Sequence, residues 1–159
     1  MKQKFVLAYM DIAHRIADLS YARRLKVGAV IVKDDVVTYG YNGTPSGWDN
    51  NCEDVIAEFE TVYSEVINMM RTVELKTKPE VLHAESNAIS KIAKSTISAQ
   101  DADMFITHSP CIDCAKLISQ SGIKRVFYSN DYRSQEGIEF LRKSGVSVEQ
   151  IERSVYTKL

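Results

Sequence analysis

Between residues 5 and 19 the apolar positions Phe5, Ala8, Tyr9, Ile12, Ile16 and Leu19 recur three and four apart. That spacing places them on one face of an α-helix, which is expected to stop near Ser20. The period then changes. Val27-Gly28-Ala29-Val30-Ile31-Val32 and Val36-Val37-Thr38-Tyr39-Gly40-Tyr41 are short runs rich in β-branched residues, separated by Lys33-Asp34-Asp35. They predict an antiparallel hairpin with a polar turn, its first strand buried on both faces. Residues 42–51 are dense in turn formers, and Pro45 prevents the strand from continuing, so this stretch reads as a loop.

Val55, Phe59, Val62, Val66 and Met69 again fall at helical spacing and predict a helix over 54–72, followed by the connector Lys76-Thr77-Lys78-Pro79. Its length exceeds what a core needs, so residues 53–80 read as a helical insertion. Helices are expected at 83–94, 111–120 and 135–143, and strands at 104–107, 125–128 and 146–148. Helices alternating with strands after an initial hairpin imply an α/β fold, a mixed sheet covered on both faces with its last three strands parallel. Sites in such sheets form at the carboxyl ends of strands.

Composition narrows the class. A chain of 159 residues with 45% hydrophobic and 26% charged residues has the make-up of one ordered globular domain, 1–159. The formal charge of -1 lacks the basic excess of a sequence-independent nucleic-acid binder. No apolar run approaches the roughly 18 residues that span a bilayer, and the N-terminus is unlike a signal peptide, so the expectation is a cytoplasmic protein without a membrane partner. Of the 3 cysteines, two form Cys111-Ile112-Asp113-Cys114, a spacing suited to metal binding or thiol redox chemistry in a reducing compartment. Cys52 has no nearby Cys or His and reads as a buried free thiol.

Cys111 and Cys114 in the first turn of a helix point the same way, and the N–H groups there favour the thiolates that bind Zn²⁺. Two small core residues or a redox pair would have the same spacing. His83 near a helix start is equally consistent with a cap or a packed core residue. Taken together, one His and two Cys make three metal ligands and leave a fourth tetrahedral position for water, the arrangement of a catalytic zinc rather than a structural one. Glu85, two residues beyond His83, is placed to move protons without binding the metal, which lowers the pKa of its water from ~16 toward ~7.

His-x-Glu followed by Pro-Cys-x-x-Cys is the signature of zinc deaminases acting on nucleobase amines. More of the chain resembles the deoxycytidylate (dCMP) deaminases of phages, bacteria and eukaryotes. The likeness runs through residues 23–32, Gly40-Tyr41-Asn42-Gly43-Thr44-Pro45-Ser46-Gly47, His83-Ala84-Glu85-Ser86-Asn87-Ala88-Ile89, Ser109-Pro110-Cys111 and Gly122-Ile123-Lys124-Arg125-Val126. The resemblance implies a three-layer α-β-α cytidine deaminase-like fold with five strands, and hydrolysis of dCMP to dUMP and ammonia, supplying dUMP for thymidylate synthesis.

It also implies roles. His83, Cys111 and Cys114 would hold Zn²⁺, and Glu85 would protonate N3 and then the leaving amine. Asn42 would bind the deoxyribose 3′-hydroxyl, and Tyr132 would close over the nucleotide. Arg23, with Ser20, Arg24 or Lys26, would bind the 5′-phosphate, for which the planar guanidinium fork is suited. Arg23, Arg24 and Lys26 are also compatible with a solvated surface turn, and packing is the preferred reading for Phe127 and Tyr128. Family members are commonly hexamers activated by dCTP and inhibited by dTTP at a loop here represented by Gly40, Tyr41 and Gly43; whether Mg²⁺ accompanies the triphosphates is left open. The segment 53–82 departs from the common pattern, in which a shorter loop sometimes rich in Cys and His appears, and argues against a second zinc. Another free nucleotide or base (dCTP, cytosine), a tRNA adenosine or a silent zinc scaffold remain the alternatives.

Overall fold

The computed structural model describes residues 1–63 and 68–152, with side chains over 1–58 and 73–152. The element order is α1(Gln3–Ala17), β1(Gly28–Lys33), β2(Val36–Tyr41), β3(Glu53–Tyr63), β4(Asn68–Thr77), α2(Ala84–Ala93), β5(Asp103–His108), α3(Ile112–Gln120), β6(Arg125–Asn130), α4(Glu136–Lys143) and β7(Ser147–Gln150). Five strands form one sheet in the order β2-β1-β5-β6-β7. β1 runs antiparallel to β2 and β5, whereas β5, β6 and β7 are parallel, as the alternation of elements predicts.

The hairpin closes through Asp34 and Asp35 at φ 48° and 63°, the left-handed pair of a two-residue turn, with Lys33 opposite Val36. β1 is buried on both faces, as its unbroken apolar run requires. Ala29, Ile31, Met104, Ile106 and Val126 face α2, α3 and α4, while Val30, Val32, Phe105 and Phe127 face α1, giving three layers. Phe127 stacks on Phe105 with ring centroids 4.9 Å apart, so it and the buried Tyr128 are packing residues.

Two expectations need correction. α1 buries Val6, Leu7, Met10, Ala13 and Ala17, whereas Phe5, Ile12 and Leu19 are exposed. The helix is apolar on more than one side, and close approach selects the face: a Cβ on Gly28 would run into the main chain at Ala13 and Ala17. Ala13 and Ala17 therefore seat the end of α1 on the sheet; of the expected stripe Tyr9 and Ile16 pack at the edge of the core, and Phe5, Ile12 and Leu19 face outward.

Residues 54–63 and 68–72 are not helical; they belong to β3 and β4, paired antiparallel from Glu53↔Thr77 to Tyr63↔Asn68 in a separate two-stranded sheet. Val66 and its neighbours 64, 65 and 67 lie outside the described residues. The spacing of Val55, Phe59 and Val62 fits a helix, but the segment is crowded with β-branched and aromatic residues (Val55, Ile56, Phe59, Thr61, Val62, Tyr63, Thr72, Val73) that favour extended chain. The helical insertion is a β-ribbon.

Candidate active site

Two helix starts meet at the carboxyl end of β5. His83 is the N-cap residue of α2, with extended backbone, and Cys111 occupies the same place in α3, one turn before Cys114. His83 is held where it is by the preceding residue. Leu82 exchanges main-chain hydrogen bonds with Gly43, 2.9 and 3.1 Å long, tying the approach to α2 onto the loop after β2. The His83 carbonyl then accepts from Asn87 N–H and Ser86 Oγ, which opens the helix.

The imidazole Nδ1 lies 3.6 Å from Cys111 Sγ and 3.4 Å from Cys114 Sγ, and all three atoms lie within 4.8 Å of one another. An N and an S sharing a tetrahedral Zn²⁺ at ordinary bond lengths are about 3.6 Å apart. The donor set and its spacing therefore fit zinc. The two thiols share one proton: hydrogen bonding from Cys114 and then His83 holds Cys111 down to about 4, while the same bond to Cys111, and then burial, pushes Cys114 up. The Cys111 thiolate in turn raises the pKa of His83.

Glu85 sits in the first turn of α2 and is 4% exposed. Burial raises its pKa, opposed by its own main-chain N–H and by His83. His83, Glu85 and Cys111 border a cavity of about 270 Å³ whose other walls include Arg24, Asn42, Glu53, Thr77, His108, Tyr132 and Arg133. Asn42 is fixed there: its Oδ1 accepts from Val27 N–H at 2.8 Å and its Nδ2 donates to Leu25 O at 2.8 Å. One amide N–H and one lone pair remain for a ligand. Tyr132 reaches the cavity because its main-chain N–H donates to the buried Ser109 Oγ at 2.7 Å.

The basic residues sort differently from expectation. Arg24 borders the cavity; Arg23, Ser20 and Lys26 do not. The Arg23 N–H donates to both Glu53 oxygens, the Ser20 hydroxyl donates to Asn42 O, and Lys26 Nζ donates to Asp18 O. Arg133, Glu53, Thr77 and His108 were not picked out by sequence reasoning. Nothing in the motif lines points to them, although Arg133 follows Tyr132 directly. His108 Nδ1 is 3.1 Å from Thr107 Oγ1, and burial lowers its pKa, favouring the neutral ring.

Tyr41 and Gly43 line a second cavity of about 390 Å³, together with Tyr21, Trp48, Asn87 and Lys91. Lys91 Nζ lies 4.4 Å from the Tyr39 ring centre and donates to Tyr39 O. Gly40 is not on that wall. A Cβ there would collide with the Ala84 carbonyl, so Gly40 is where α2 crosses β2.

Residues 3–130 match the family described as cytidine and deoxycytidylate deaminase zinc-binding region. The chain is 33% identical to deoxycytidylate deaminase of Enterobacteria phage T4, over 94% of this chain and 91% of that protein. It is 38% identical to the human deoxycytidylate deaminase, over 77% of this chain and 63% of that one. Among solved structures, the dCMP deaminase of cyanophage S-TIM5 in complex with dCMP and dUMP aligns with a TM-score of 0.81 and 41% identity, covering 95% of this chain and 99% of that one. The fold, the His-Cys-Cys cluster and the matched span agree, and the chain belongs to the cytidine and deoxycytidylate deaminase zinc-binding family.

Proposed function

We propose that this chain hydrolyses dCMP to dUMP and ammonia. The observation that carries the substrate is the pair of guanidinium groups, Arg24 and Arg133, on the same cavity as Glu85 and the His-Cys-Cys cluster. Among the described residues neither forms an ion pair, so both keep their charge for a phosphate. The S-TIM5 relative, crystallised with dCMP and dUMP, supports the same choice.

His83, Cys111 and Cys114 are the residues that would hold Zn²⁺, which when bound supplies the Lewis acidity that makes water a nucleophile near neutral pH. Glu85 accepts the proton that water gives up and passes it to N3 of cytosine. It then carries a second proton to the amine, so that the water oxygen becomes the C4 carbonyl and ammonia leaves. Its burial suits this work, since a carboxyl of raised pKa both takes and returns a proton readily. Asn42 orients the deoxyribose through its remaining amide N–H and lone pair, and Tyr132 covers the nucleotide. Arg24→Ala is expected to raise KM for dCMP about 10- to 100-fold, the worth of a lost charge-assisted hydrogen bond. KM for deoxycytidine, which lacks the phosphate, should stay unchanged; an equal rise for both would refute a phosphate contact.

The same proposal extends to regulation by dCTP and dTTP in a hexamer of this chain. Tyr41 and Gly43 border the second cavity while Asn42, between them, borders the first, so one short segment touches both. The dCMP saturation curve, measured with and without Mg²⁺, should move left with dCTP and right with dTTP. A curve unmoved by either nucleotide would remove the regulatory part.

A further inference from the structure

We infer that Glu53 and Thr77, the first rung of the β3–β4 ribbon, are positioning residues that set the phosphate-binding Arg24; this rests on the function proposed above. Among the described residues the ribbon shares no ladder with the five-stranded sheet, and a lone two-stranded ribbon has little stability of its own. Its root is where it is secured. Cys52, immediately before β3, is 1% exposed and packs with Ala22 and Val81. Its carbonyl accepts from Lys78 N–H at 3.0 Å, just past the end of β4, and Lys78 Nζ lies 4.0 Å from Asp54. Glu53 and Thr77 face each other on the rung that this knot fixes.

Both residues reach Arg24, from two directions. Glu53 is 3% exposed, and a carboxylate so buried is tolerated only with donors around it. The donors are main chain: Arg23 N–H at 3.0 and 3.2 Å from its two oxygens, and Arg24 N–H at 3.2 Å. They fix the backbone from which the Arg24 side chain departs. Thr77 Oγ1 then accepts from Arg24 Nη1 at 2.9 Å and aims the guanidinium.

The division of labour matters for binding. A carboxylate paired with the guanidinium would neutralise it, whereas this carboxylate accepts from the Arg23 and Arg24 N–H groups and the side chain is steered by a neutral hydroxyl. Arg24 is thus oriented with its charge and its remaining N–H donors uncommitted among the described residues. The root of the ribbon, Glu53 and Thr77, becomes a wall of the anion-binding end of the cavity.

The test compares kcat/KM for dCMP and for deoxycytidine in the full-length protein. Thr77→Val keeps the shape and removes the acceptor; the dCMP-over-deoxycytidine ratio is expected to fall about three- to tenfold, through KM for dCMP rather than kcat. Thr77→Ser should restore the ratio, and Thr77→Val should add no further loss in an Arg24→Ala background. Glu53→Gln, which turns an amide toward the same N–H groups, should lower the ratio further than Thr77→Val. Equal losses on both substrates, or a ratio unchanged in Thr77→Val, would overturn the positioning role while leaving the proposed function intact. A wild-type protein that does not distinguish dCMP from deoxycytidine would overturn both.

Discussion

Glu85→Gln is expected to lower kcat for dCMP by about 10³-fold or more while the protein keeps its zinc and its fold. General acid–base groups contribute about 10²–10⁴ to a rate, and here one carboxyl serves two proton transfers, so the upper half of that range applies. Gln fills the same buried space, 4% exposed in the wild type, and cannot take a proton from water. The substitution also relieves the cost of a buried charge, so the thermal midpoint should hold or rise. Metal content by atomic absorption separates this outcome from its rival. A variant that loses both zinc and turnover would make Glu85 a ligand, contradicting the assignment of three ligands and one free carboxylate.

Cys114→Ala is expected to have the second-largest effect and a different signature. Cys114 is 3% exposed on the inner side of α3, 3.4 Å from His83 Nδ1. Removing it leaves one sulfur and one imidazole, too few to hold Zn²⁺ tightly. Metal, turnover and a share of stability should be lost together, because a ligand that binds only the folded chain stabilises it, by about 4 kcal/mol at a thousand times its Kd. The diagnostic is a chelator. It should lower the thermal midpoint of the wild type and leave that of Cys114→Ala where it already is. A chelator that shifts both proteins alike would mean that the metal sits elsewhere.

The parts of this protein that are legible in its sequence are those written in consecutive residues. The β1–β2 hairpin, the parallel strands and the helices between them announce themselves by period and by turn residues, and His83, Glu85, Cys111 and Cys114 by spacing within two short motifs. What was misread depends on contacts that spacing does not encode. The 54–72 segment satisfies a helical period and a strand composition at once, and the ladder from Glu53↔Thr77 to Tyr63↔Asn68 decides for strand. The buried side of α1 follows from where Gly28 lets it approach, not from its bulkiest stripe. Arg23 and Arg24 are neighbours whose N–H groups both bond the distant Glu53, and it is Arg24, with Nη1 donating to Thr77, that borders the cavity. Arg133 and His108 carry no motif. They join the site because β5 and β6 end beside it.

In the proposed reaction the cavity takes a phosphorylated deoxycytidine and removes its amine. The most direct test is to incubate the zinc-loaded protein with dCMP, deoxycytidine, CMP and dCTP separately, following the loss of cytosine absorbance and the release of ammonia. dCMP is expected to be turned over with the highest kcat/KM and to yield dUMP and ammonia in equal amounts. No turnover of dCMP, with or without dCTP as effector, would contradict the proposed function.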